Sequence, residues 1–142
     1  MKKYFNIPLM IMMLTGVLAA SAHAQTNSAQ RVTASIPFAF SVGKTTLPAG
    51  KYTITVLNPT SDRKTLQIRS LNGRASAIVL TTTSNGHASD TAKLVFERYG
   101  DQYVFAQAQM DETTLAALGT KERGDKQVAK AGKKSIVVIA AE

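Results

Sequence analysis

Val32-Thr33-Ala34-Ser35-Ile36-Pro37-Phe38-Ala39-Phe40-Ser41-Val42 decides the fold class, together with the Gly43–Gly50 and Lys51–Leu57 segments that follow it. Val32, Ile36, Phe38, Phe40 and Val42 fall on even positions with the small Ala34, while Thr33, Ser35 and Ser41 fall on odd ones. Successive strand side chains point to opposite faces, so this alternation predicts a strand over Arg31–Val42 with one buried face. Pro37 lies inside it and has no N–H for a ladder, which places the strand at an edge or leaves it unpaired there. Leu47-Pro48-Ala49-Gly50 carries turn chemistry: proline fixes one dihedral and glycine permits positive φ. The Gly43–Gly50 segment therefore reads as a turn. Tyr52, Ile54 and Val56 resume the period of two, and Asn58-Pro59 ends the second strand.

Two hairpins follow. Leu71-Asn72-Gly73-Arg74 is an Asn-Gly signal between strands, and taking Asn72 and Gly73 as a two-residue loop opposes Leu66 to Val79 and Ile68 to Ala77. Gln67 and Arg69 then lie on the other face, with Ile78 and Ser76. Thr81–Asp90 is polar and reads as a loop. Around Gly100-Asp101, with glycine first as in a type II′ turn, Phe96 opposes Phe105 and Arg98 opposes Tyr103. Val95, Val104 and Ala106 fill the reverse face of this hairpin, which predicts cover on both sides.

After Met110 the period changes. Asp111 is placed to cap a short helix over Thr113–Leu118 that Gly119 ends, and weak helical spacing continues through Val128. Ser135–Ala141 is a β-branched run that reads as a buried terminal strand. The expectation is an all-β fold, an antiparallel β-sandwich or small barrel of about seven strands with a short C-terminal helical segment.

The opening residues are read apart from the fold. Lys2 and Lys3 precede an apolar run, Ile7–Ala20, and Ala22-His23-Ala24 fits a small-x-small cleavage site, so residues 1–24 are expected to be a signal peptide. The run is shorter than the roughly 20 apolar residues that cross a bilayer. Gln25–Gln30 is expected to be a disordered lead, and residues 31–142 a single β domain. This predicts an exported, soluble protein of the periplasm or medium. Short loops and the absence of two aromatic girdles argue against a transmembrane barrel.

The net charge is +8, and the chain contains no cysteine or tryptophan. Part of the positive charge is concentrated in Lys121, Arg123, Lys126, Lys130, Lys133 and Lys134, set against Glu122 and Asp125. Export makes nucleic acid an unsuitable partner for that cluster, so anionic envelope polymers or lipid head groups are the candidate partners. The bland alternative is a solvated surface that aids solubility. No cofactor or metal set is legible. His87 is the one histidine beyond the signal segment, in a polar Ser-Asn-Gly-His-Ala-Ser-Asp loop whose composition is ordinary for loops. Asp62, Asp90, Glu97 and Asp101 are scattered, and Asp111-Glu112 reads as a charged helix start. No catalytic residue is assigned.

The run from Val32 through Leu47-Pro48-Ala49-Gly50-Lys51-Tyr52, the segment from Leu66 to Ala77, and Lys93-Leu94-Val95-Phe96-Glu97-Arg98-Tyr99-Gly100-Asp101-Gln102-Tyr103 resemble a group of small secreted proteins of unassigned function common in acidobacteria. That resemblance covers most of Val32–Gln107 and implies export and an all-β fold. It departs after Met110, where the group carries a Leu-Pro-containing stretch and this chain has Leu-Ala-Ala-Leu-Gly-Thr. It brings no catalytic residues. Together these readings point to a non-catalytic envelope domain with a binding or structural role. The alternative is a small hydrolase acting on an envelope polysaccharide or peptide.

Overall fold

The computed structural model describes residues 30–86, 91–119, 126, 130 and 133–142. Their elements are ten strands: β1 (Arg31–Ile36), β2 (Phe40–Val42), β3 (Thr45–Leu47), β4 (Gly50–Val56), β5 (Thr65–Ser70), β6 (Ser76–Asn85), β7 (Ala92–Tyr99), β8 (Gln102–Met110), β9 (Thr113–Ala117) and β10 (Lys134–Ala141). The fold is all-β. One mixed sheet runs β1-β4-β5-β6-β9-β8-β2-β3, with β7 on β8 and β10 beyond β7. Every pairing is antiparallel except the short parallel contact of Ser41 in β2 with Val104 in β8. The expected seven-strand antiparallel plan is therefore too simple.

Pro37 breaks the first run where the sequence indicates. β1 stops at Ile36 and β2 begins at Phe40, so one expected strand becomes two that serve different neighbours. The even positions still face inward: Ala34, Ile36, Phe40 and Val42 are buried. The segment expected to be only a turn holds β3, because Gly43 (φ +58°) closes a tighter turn first and lets Thr45 pair with Val42. The β2–β3 hairpin is an insertion, and β1 pairs with β4 directly, Val32 opposite Ile54.

The register of the first hairpin is as expected, with Leu66 opposite Val79 and Ile68 opposite Ala77. Its loop is wider than two residues. Ser70 accepts a backbone bond from Gly73, and its own N–H bonds to Ala75 O. Asn72 Oδ1 accepts from Ser70 Oγ (2.7 Å) and from Arg74 N (3.0 Å), so side chains satisfy the loop and one residue is released from each strand. Symmetrical widening keeps the parity. In the second hairpin Phe96 opposes Phe105 and Arg98 opposes Tyr103, and a bulge between Val95 and Phe96 shifts the pairs beyond it. Val95 and Val104 are buried on the reverse face.

Three expectations fail past residue 80. β6 continues to Asn85 where a polar loop was expected, because Thr81 is buried and satisfied: its Oγ1 donates to Lys64 O at 2.8 Å. The helix expected over Thr113–Leu118 is strand β9, entered through a tight Asp111-Glu112 turn with Asp111 at φ +51°. An isolated helix so short is marginal, whereas β9 has ladders on both sides, to β6 and β8. The helical spacing read through Val128 lies mostly outside the described residues, as do residues 1–24 and His87. Ser135–Ala141 is a strand but is buried on one face only. Val137, Ile139 and Ala141 face the core, while Ile136 and Val138 are 62% and 53% exposed.

The core takes inward residues from all ten strands, and Phe96 is the hub of its aromatic cluster. That ring meets Phe38, Phe40 and Phe105 edge-to-face at centroid distances of 5.2, 5.2 and 5.8 Å, the favoured aromatic geometry. β1 and β10 meet at one point, where Thr33 and Glu142 exchange backbone hydrogen bonds.

Candidate anion-binding face

Of the basic cluster singled out in the sequence, Lys121 and Arg123 lie outside the described residues, and Lys126, Lys130 and Lys133 are exposed. Lys134 is already partnered. Its Nζ stands 2.5 Å from Glu97 Oε1, and Glu97 Oε2 accepts from the Tyr99 hydroxyl. A cation neutralised by its neighbour contributes little to an outward field.

A second set of cations arises from topology. Because β1, β4, β5 and β6 are consecutive neighbours, their outward residues form rows across the sheet. One row is Arg31, Thr55, Gln67 and Ile78, and the next is Thr33, Thr53, Arg69 and Ser76. Arg31, Thr53, Thr55, Gln67, Arg69 and Asn72 line one concavity of about 410 Å³, together with the loop of the first hairpin. Gly73, at φ +72°, has no side chain to crowd Arg69: a Cβ there would stand 3.4 Å from Arg69 Nη2.

Both rows carry hydrogen-bond donors, and no carboxylate lines the concavity; the row of Arg69 meets one only at its far end, where Thr33 pairs with Glu142. Arg31 and Arg69 are exposed and make no salt bridge among the described residues. A guanidinium presents a planar fork of N–H donors that fits carboxylate and phosphate oxygens two at a time. Threonine hydroxyls and the Gln67 amide add neutral donors beside it. Lys51, on the same outward face of β4, extends the positive potential.

A larger concavity of about 520 Å³ lies between the β2–β3 and β7–β8 turns, lined by Lys44, Thr46, Asp101 and Tyr103 among others. Its chemistry is less directed. Phe38 stacks on the Tyr103 ring at 3.8 Å, and the Arg98 guanidinium lies 5.5 Å from that ring's centroid. The ring is thus occupied by its own neighbours, and Asp101 offsets Lys44.

Comparisons with protein-family models, curated proteins and solved structures found no match to this chain. The site therefore stands on its own geometry. Among the described residues no three His, Asp or Glu side chains form a group able to hold a metal, and no helix is long and apolar enough to cross a membrane. Arg31 and Arg69 were not singled out in the sequence. The hairpin register already put Arg69 outward beside Gln67, but bringing Arg31 alongside requires β1 to pair with β4 across the β2–β3 insertion.

Proposed function

We propose that this chain is an exported, non-catalytic β-domain that binds an anionic component of the cell envelope through the outward face of β1, β4 and β5. The observation that carries the reading is the sharing of one concavity by Arg31 and Arg69, neither salt-bridged among the described residues, with no carboxylate in its lining. Export rests on the Lys2-Lys3 start, the Ile7–Ala20 run and the Ala22-His23-Ala24 site. The resemblance of Val32–Gln107 to small secreted proteins agrees with it.

In this reading the sheet is a small filled barrel, in which Thr33 and Glu142 bring β10 back to β1 and complete the circuit. Support comes from their paired bonds of 2.6 and 2.9 Å and from the aromatic cluster packed inside. A rigid barrel fixes the strand positions from which Arg31 and Arg69 project, so the backbone need not be ordered on binding and only the side chains are.

The test is titration of the exported protein with polygalacturonate, a soluble polycarboxylate. Hydrogen bonds to charged groups contribute about 1.5–3 kcal/mol each. The paired change Arg31→Gln with Arg69→Gln should therefore weaken binding by at least about tenfold and leave the melting temperature in place. Wild-type affinity in that variant, or no binding by the wild type to any polyanion, would reject the reading.

A further inference from the structure

The arginine row is bordered by aliphatic side chains that a soluble polyanion gives no reason to expose. Leu57 N bonds to Thr65 O, Thr65 stands opposite Leu80, and Leu118 N bonds to Leu80 O. Leu57, Thr65, Leu80 and Leu118 therefore form one outward row across β4, β5, β6 and the end of β9. Its three leucines are 47%, 54% and 44% exposed. Ile78, 60% exposed, ends the neighbouring row that begins with Arg31. At neighbour spacings of about 4.8 Å, each row spans about 14 Å, and the two rows lie about 7 Å apart. Contiguous exposed aliphatic surface of this kind marks an interaction site rather than scatter.

We infer that the occupant of this face is the surface of an anionic lipid bilayer, with Leu57, Ile78, Leu80 and Leu118 entering the head-group boundary while Arg31 and Arg69 bind lipid phosphates. The inference rests on the anion-binding reading and adds what the anion is attached to. Two features favour lipid over polysaccharide. Saccharide rings stack on aromatic side chains, and these rows carry none. Apolar residues beside cations that make no salt bridge among the described residues match the two layers of a bilayer interface, where aliphatic burial and attraction to anionic head groups add together. The opposite end of the same face repeats the pattern in miniature: Leu71, 59% exposed, lies beside Lys51, to whose carbonyl its N–H donates.

The experiment is co-sedimentation of the exported protein with phosphatidylglycerol-rich vesicles and with pure phosphatidylcholine vesicles, alongside the polygalacturonate titration. The wild type should pellet with the anionic vesicles and be released by high salt. Changing Leu80→Gln together with Ile78→Thr should lower vesicle affinity by about tenfold, from the aliphatic area lost, and leave polygalacturonate binding unchanged. Arg31→Gln with Arg69→Gln should weaken both. Polygalacturonate binding without vesicle binding would overturn the lipid inference and leave the anion-binding reading standing. So would wild-type vesicle affinity in the Leu80/Ile78 variant. A wild-type dimer that the Leu80/Ile78 variant abolishes would assign the patch to a second copy of the chain and also overturn it. Failure of the wild type with both probes would remove the two readings together.

Discussion

Thr33 and Glu142 exchange two backbone hydrogen bonds, Thr33 N to Glu142 O at 2.6 Å and Glu142 N to Thr33 O at 2.9 Å, and so join the first strand to the last. No ladder pairs β1 with β10 elsewhere among the described residues. The lateral tie between these strands thus depends on one residue pair. Deleting Glu142 should lower stability by about 1–3 kcal/mol, the net worth of two hydrogen bonds. The Thr33 amide should also lose hydrogen-exchange protection while the Ile54 and Ile68 amides keep theirs. An equally protected Thr33 in the truncated protein would show that β1 is held by β4 alone.

The first hairpin separates stability from binding within one dipeptide. Ile68 is 1% exposed in the core, and Gln67 lies outward between Thr55 and Ile78. Ile68→Asp forces an unpaired charge into apolar surroundings and should cost more than about 4 kcal/mol, enough to unfold the domain. Gln67→Asp should change stability by less than about 0.5 kcal/mol, as outward substitutions do. It should still weaken polyanion binding, because it places a carboxylate in the concavity that Arg31 and Arg69 share. Urea denaturation and polygalacturonate titration of the two variants measure these effects.

How much of this was legible in the sequence depended on the range over which the signal acts. The Leu66–Val79 and Phe96–Phe105 pairs were readable because each hairpin is set by its own turn residues and its own alternation. Thr113–Leu118 was not, since an apolar run of that length fits a helix or a strand, and the choice was made by ladders to β6 and β8. The exposure of Ile136 and Val138 was equally hidden, because the run Ser135–Ala141 looks buried until its ladder with β7, its one partner strand among the described residues, is known. The face carrying Arg31 and Arg69 needed the most distant information. Its cations sit on strands separated in sequence by two turns and an inserted hairpin.

Tyr52 gives the fold an alkaline limit. The ring is 1% exposed, its hydroxyl donates to Pro48 O at 2.6 Å, and burial raises its pKa above the ordinary value of 10.0. The folded state holds the neutral phenol. Its contribution is therefore complete below pH 10, where the unfolded chain is protonated too, and is lost as pH rises through the folded pKa. The urea midpoint should begin to fall above about pH 10, and Tyr52→Phe should reduce that fall. At neutral pH the same change should cost about 1 kcal/mol for the lost hydrogen bond.

The two basic regions of the chain make different predictions, and Lys134 distinguishes them. Its ammonium is held by Glu97, whose side chain is only 14% exposed and is also bonded by the Tyr99 hydroxyl. Lys134→Gln would leave Glu97 half-buried with its main counter-charge gone. A partly exposed pair of this kind is worth about 1 kcal/mol after screening, so the melting temperature should fall by a few degrees, and less in high salt. Polyanion affinity should barely change, because a cation neutralised by its own neighbour adds little to the field a ligand meets. Arg31→Gln with Arg69→Gln should behave in the opposite way, with binding lost and melting unchanged. Should Lys134→Gln abolish binding while melting is preserved, the C-terminal cluster rather than the β1-β4-β5 face would be the anion site. Thermal melts and polygalacturonate titrations of both variants, at low and high salt, decide between the two.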